Sequence, residues 1–182
     1  MNKVVKLALV LFLVCAVVAG ILGAVNLITA DKIAEQDEQK TNAAYAAVLE
    51  ADGYEPVEFD PTAEGFETID TIVKGNGGEG YVVTTTFSGA QGSITMAVGV
   101  DMDYKCTGIS IISHSETSGL GAKAADTGEF GTNWRAKFVG EGDDIAITKK
   151  GGNIDAITAA TITSNAVTGA VSTSIKAVES LG

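Results

Sequence analysis

Residues that could do chemistry cluster near the end of the chain, in Asp155-Ala156-Ile157-Thr158-Ala159-Ala160-Thr161-Ile162-Thr163-Ser164, a run holding one carboxylate, four hydroxyls and several small side chains. Val167, Val171, Ile175 and Val178 follow at spacings of four, four and three, which places them on one face of a helix from Asn165 onward. The hydroxyls therefore fall at the N-terminal end of that helix. First-turn N–H groups lack intrahelical partners there and the macrodipole is positive, so phosphate oxygens are accommodated. Small side chains at Ala159 and Ala160 let another group approach the backbone. The same hydroxyls also read as an ordinary cap, with Thr163 or Ser164 as N-cap and no ligand at all.

The pattern Asp-x-x-Thr-Ala-Ala-Thr-x-Thr resembles the Asp-x-x-Ser/Thr-Gly/Ala-Ala-Thr flavinylation motif of FMN-binding domains. The resemblance implies that an ApbE-type flavin transferase joins FMN, through its phosphate, to Thr161, with Thr158, Ala159 and Ala160 forming the turn beside it. A covalent tether suits a chain in which Arg135 is the only arginine. Sites for free phosphate usually recruit bidentate guanidinium, whereas a helix end alone contributes only about 0.3–2 kcal/mol. Asp155 has two readings, a group that serves the attachment reaction through the transferase's metal ion, or an Asx-type turn before the helix.

Upstream, His114-Ser115-Glu116-Thr117-Ser118-Gly119-Leu120-Gly121 resembles the His-x-Glu-Thr-Pro-Gly-Leu-Gly loop of the same family, with Ser118 in place of proline. The resemblance implies that Glu116, Thr117, Gly119, Leu120 and Gly121 line the isoalloxazine ring, with Leu120 as an apolar wall. Without it, the two glycines mark only a tight turn. Ser115 beside His114 does not make a hydrolase, because adjacent residues of an extended segment point oppositely. One histidine also argues against zinc, and two cysteines, Cys15 and Cys106, exclude a disulfide framework, an iron–sulfur cluster and a cysteine-built zinc site. No Gly-x-Gly-x-x-Gly follows a strand, so a dinucleotide cradle is not expected. Any redox cofactor must then be organic.

These residues need positioning, and the N-terminus says where. Between Lys6 and Asp31 no residue is charged, and about 24 apolar residues at 1.5 Å rise span about 36 Å, enough to cross a hydrocarbon core of about 30 Å. A signal peptide would carry a shorter apolar core of about 7–15 residues, and Val14 before Cys15 does not suit lipoprotein processing. Lys3 and Lys6 precede the span while acidic residues dominate after it, which predicts a cytoplasmic N-terminus and an extracytoplasmic remainder. That remainder carries all 23 acidic residues against ten basic ones, which disfavours nucleic acid and acidic partners. Ferredoxins are usually acidic, so direct electron delivery from one is disfavoured as well.

Residues 31–50 are rich in Ala, Glu, Gln and Lys and predict a helix ending near Ala51-Asp52-Gly53. Residues 54–80, with Pro56, Pro61 and Gly75-Asn76-Gly77-Gly78, predict loops with one strand near 68–73. Residues 80–87 and 93–100 predict a hairpin, 107–113 a third strand delivering His114 and Glu116, 130–138 a helix holding Trp134, and 144–148 and 154–158 two more strands. The expected class is α+β: one N-terminal transmembrane helix, then a twisted antiparallel sheet with packed helices. The expected divisions are 1–30 for the N-terminus and span, 31–52 for a helical stalk, and 53–182 for an extracytoplasmic FMN-binding domain. With the span, the resemblance extends to the G subunits of Rnf-type ion-translocating electron-transport complexes. It implies an electron-relay subunit in a cell-membrane ferredoxin:NAD oxidoreductase that moves sodium ions or protons, with other membrane subunits and the transferase as partners. Two alternatives stay open, the related C subunit of the sodium-pumping NADH:quinone oxidoreductase and a membrane-anchored binding module without a redox cofactor.

Overall fold

The computed structural model describes residues 3–60 and 64–181. Pro61, expected in a loop, and the outermost residues of the expected divisions lie outside them. The chain forms two compact units that divide after Lys40. In the first, helix α1 (Lys3–Val48) begins. Among the described residues it is the one helix long and apolar enough to cross a membrane. Leu7, Phe12, Leu27 and Ile28 are left exposed on it, as expected of side chains that lipid rather than protein would cover.

In the second unit, β1 (Tyr54–Val57), β2 (Ile69–Gly75), β3 (Gly80–Ser88), β4 (Ser93–Asp101) and β5 (Cys106–His114) form one antiparallel sheet in chain order. Its central strands β3 and β4 are buried on both faces, because successive side chains alternate sides and both sides are covered there. Val73, Val82 and Ala97 meet Ala44, Tyr45 and Val48 from the last turns of α1 and Leu49 beyond it. Their neighbours Ile72, Val83, Met96 and Val98 belong to the opposite core, shared with helix α3 (Thr161–Glu179). There the expected stripe of Val167, Val171, Ile175 and Val178 is buried to 1% exposure or less.

The end of α1 is fixed to the sheet by side chains that satisfy its last carbonyls: Thr107 donates to Val48 O, and Tyr54 donates to Leu49 O at 2.6 Å. Gly99 lies beneath it, where a Cβ would overlap the Val48 carbonyl.

The α+β class is as expected, with four differences in detail. Residues 144–148 and 154–158 are not strands; a single parallel bridge joins Ile147 to Ile154 around a 3-10 turn at Thr148–Lys150. Ile145, Ile147, Ile154 and Ile157 are all buried, so their β-branched pattern records burial in the core rather than a ladder. Residues 54–57, expected in loops, form edge strand β1, where Pro56 is tolerated because an outer strand can spare an N–H. The last helix begins at Thr161, not Asn165, and helix α2 is Glu129–Ala136, ending before the expected 138.

Candidate functional site

The first turn of α3 decides what its hydroxyls do. Ala160 precedes the helix and no side chain caps this end. Thr163 and Ser164, the expected caps, sit inside the first turn and are fully buried. Ser164 Oγ accepts from Ile157 N and donates to Ala160 O, both at 2.9 Å, so it braces the turn leading into the helix. Ala160 N closes the same turn onto Ile157 O at 2.9 Å. Ala159 adopts φ 61°, a left-handed conformation that costs a non-glycine residue roughly 1–2 kcal/mol. The result is an open helix end with half-buried Thr161 as its first residue and Thr158 and Ala159 exposed before it.

Thr163 is spent elsewhere. Its hydroxyl donates to Glu116 Oε2 at 2.5 Å, while Glu116 Oε1 accepts from Ala90 N at 2.8 Å and Gln91 N at 3.0 Å. Burial alone pushes the Glu116 carboxyl up, but the Thr163 hydroxyl, the Gln91 and Ala90 amides and nearby His114 outweigh it and hold the group below the usual carboxylate range. One buried carboxylate thus ties the β3–β4 turn, the loop after β5 and the start of α3 together. Gly121 completes the joint, because a Cβ there would overlap both Glu116 Oε2 and Thr163 Oγ1. Thr117, Gly119 and Leu120 are exposed, Leu120 at 41%. Ser118 does not leave the turn open, since Leu120 N bonds Thr117 O at 3.1 Å. Ser115 stays outside this network except for its backbone bond to Ser93, and His114 Nδ1 accepts from Glu116 N at 3.2 Å.

Two clefts flank these elements. One, of about 440 Å³, lies between α2 and residues 155–158, with Phe130, Asn133, Trp134 and Lys137 on one wall and Thr158 on the other. Trp134 Nε1 donates to Asp155 O at 2.8 Å, and Lys137 Nζ pairs with Asp155 Oδ2 at 2.7 Å between exposed side chains. The second, of about 500 Å³, is lined by His114, Ser118, Gly119, Lys123 and Asp126 among others. The singled-out residues are therefore divided: Thr158 borders the first cleft, Gly119 the second, and Leu120 neither. The sequence alone gave Phe130, Trp134 and Lys137 no site role, and the structure places them on the wall of the first cleft. The only available signals were a lone tryptophan and a phenylalanine on a short polar helix.

An uncapped helix end presents free amides beside the Thr161 hydroxyl, and an aromatic-walled cleft opens beside the residues that lead into it. The chain matches the RnfG N-terminal region over residues 1–48 and the FMN-binding domain over residues 89–176. The G subunit of a Na+-translocating ferredoxin:NAD+ oxidoreductase complex from Acetobacterium woodii is 36% identical, over 97% of this chain and 92% of its own length. The G subunit of an ion-translocating oxidoreductase complex from Methanosarcina acetivorans is 32% identical over 96% and 94%. The G subunit of a proton-translocating ferredoxin:NAD+ oxidoreductase complex from Clostridium ljungdahlii is 31% identical over 97% and 92%.

Proposed function

The chain belongs to the family of Rnf-type complex G subunits, FMN-binding domain included, and from that premise we propose that it is a membrane-bound electron-relay subunit whose FMN is joined by phosphoester to Thr161. The carrying observation is the uncapped start of α3, where Thr161 is the first residue and the neighbouring hydroxyls of Thr163 and Ser164 are already committed. Thr161 supplies the ester oxygen. The first-turn amides and the turn at Thr158, Ala159 and Ala160 hold the phosphate, and Glu116 with Gly121 keeps that turn against the loop containing Thr117, Gly119 and Leu120. When bound, FMN supplies the electron chemistry, and the protein sets its position and potential.

An ApbE-type transferase attaches the FMN, with Asp155 at the mouth of the turn serving that step. The other subunits of an Rnf-type ferredoxin:NAD oxidoreductase are its electron donor and acceptor. Two relatives of similar identity bear names with different ions, sodium and protons. That supports a relay role in which this subunit does not select the ion. Residues 1–30 anchor the chain with Lys3 and Lys6 in the cytoplasm, and 31–52 lead to the extracytoplasmic domain of 53–182.

Attachment is tested by coexpressing the chain with the transferase. Thr161→Ala abolishes flavin fluorescence in a denaturing gel, and in the unsubstituted chain a peptide spanning residues 155–176 gains the mass of FMN less one water. Modification mapping to Thr158 or Thr163 overturns the assignment. For topology, Glu79→Cys offers an exposed thiol on the soluble domain, while Cys106 is 1% exposed with its thiol pushed up to about 12 by burial and stays silent. Labelling of Glu79→Cys by an impermeant reagent only after the membrane is breached reverses the orientation.

A further inference from the structure

We propose that Ser164 is a positioning residue for the attachment reaction: its hydroxyl clamps the turn at residues 157–160 and so holds Ala159 in the left-handed conformation that leads Thr161 to the open start of α3. This rests on the attachment at Thr161. The clamp engages both ends of the turn. Ser164 Oγ accepts from Ile157 N at 2.9 Å where the turn begins and donates to Ala160 O at 2.9 Å where it ends. Ala160 N returns to Ile157 O at 2.9 Å, and Ser164 N to Ala160 O at 3.0 Å. Ile157, Ala160 and Ser164 are buried, whereas Thr158 and Ala159 at the crest are exposed. The part of the turn that a transferase can reach is thus held from beneath by a buried side chain.

Ala159 is the reason a clamp is needed. At φ 61° its Cβ crowds the following carbonyl, which disfavours the conformation about ten-fold against the right-handed one. A methyl group has no polar atom with which to support such a backbone, as the side chains of Asn and Asp do. The conformation is therefore imposed through the two ends of the turn. Loss of the positive φ at Ala159 redirects the chain two residues before Thr161, and its hydroxyl with it. A buried helical serine also donates to the carbonyl four residues back simply to satisfy its own hydroxyl, and Ser174 does so to Ala170 O at 2.8 Å. Ser164 differs in taking, besides, an amide from outside the helix, seven residues earlier. Ser174 is thus an internal control, fully buried in the same helix but remote from the turn.

The step itself needs an activated donor, because a free phosphate monoester does not condense with an alcohol in water. The bond from phosphorus to Thr161 Oγ forms as the P–O–P bond of a flavin dinucleotide held by the transferase breaks. The hydroxyl proton is taken up by the transferase, the nucleoside monophosphate leaves, and no electron is transferred. Only a hydroxyl aligned with the breaking bond reacts, so the fraction of chains with the turn in place scales the rate.

The test uses the full chain in detergent with purified transferase and FAD, and follows kcat/KM for flavin incorporation, with the modified residue mapped by peptide mass. FMN on a residue other than Thr161 of the unsubstituted chain, or on none, refutes the attachment itself. With Thr161 modified, Ser164→Ala lowers kcat/KM about ten-fold, and Ser174→Ala leaves it unchanged. Adding Ala159→Gly to Ser164→Ala restores most of the loss, because glycine takes the left-handed conformation without a clamp. A cavity or a general loss of stability is not repaired by that change. The proposal falls if Ser164→Ala matches the unsubstituted chain, if Ser174→Ala loses as much, or if Ala159→Gly repairs nothing. Should Ser164→Ala misfold, exposed Ala159 decides with Ser164 intact. Ala159→Asn, tolerated at positive φ, keeps the rate, while Ala159→Val, of similar size but β-branched, lowers it about ten-fold. Equal rates in these two variants overturn the proposal.

Discussion

The two carboxylates singled out by the sequence meet opposite fates. Glu116, in the loop after β5, is buried at 9% exposure and accepts three hydrogen bonds, two from the β3–β4 turn and one from the start of α3. Asp155, in the turn before α3, is exposed, and among the described residues its carboxylate meets the flexible ammonium of Lys137. A buried carboxylate holding three such bonds cannot change partners without breaking contacts between separate elements. One in a surface ion pair, worth about 0–1 kcal/mol, changes partners at little cost. Glu116 is thus suited to hold the local geometry, while the ion pair of Asp155 leaves its carboxylate open to the transferase proposed above.

The contrast breaks first at Glu116. Glu116→Ala leaves a buried hydroxyl and two amides without their charged acceptor and destabilises the domain by on the order of 3 kcal/mol, read as a large fall in the thermal midpoint of the full chain in detergent. The companion substitution Thr163→Val sharpens this through a double-mutant cycle, which yields a favourable coupling if the 2.5 Å bond matters and none if Glu116 acts alone.

Gly121→Ala comes next. The added methyl must displace the Glu116 carboxylate, and although that is the end of a flexible chain, moving it forfeits the bonds just described. The expected cost is about 1–3 kcal/mol, with flavin attachment slowed in the same variant because the start of α3 loses its brace. A thermal midpoint equal to that of the unsubstituted chain would mean the joint is loose.

Acid separates the carboxylates less drastically. The folded Glu116 pKa lies below its unfolded value, so its contribution is present above the ordinary carboxylate range, about pH 4.3, and is lost as pH falls through the folded value. Glu116→Gln removes that part of the acid dependence, which comparison of unfolding curves between pH 3 and 7 detects. The smallest effect on the fold is at Asp155. Asp155→Asn changes stability by less than about 1 kcal/mol, yet slows FMN incorporation in a time course with the transferase. Normal incorporation would return Asp155 to a turn residue with no part in attachment.

The sequence was most legible where one local pattern had one physical outlet. An uninterrupted apolar run yields α1, and the Val167, Val171, Ile175 and Val178 stripe yields the buried face of α3. The hairpin of β3 and β4 is readable because β-branched runs flank a turn. The segments 144–148 and 154–158 misled because buried isoleucines look alike in a strand and in an irregular core segment.

By itself, the sequence determined the apolar run, the acidic remainder after it, the α+β class, and the motif residues from Asp155 to Thr163 and from His114 to Gly121, since each is carried by residue type and spacing along the chain. Only the tertiary structure decided which hydroxyl stays available. Thr161, Thr163 and Ser164 are chemically close and nearly adjacent, but Glu116, 47 residues before Thr163, takes one, and the Ile157 amide with the Ala160 carbonyl takes another. Folding likewise brought Trp134 onto Asp155, 21 residues away. Hydrogen bonds and packing act through space, so partners far apart in sequence leave no spacing to read.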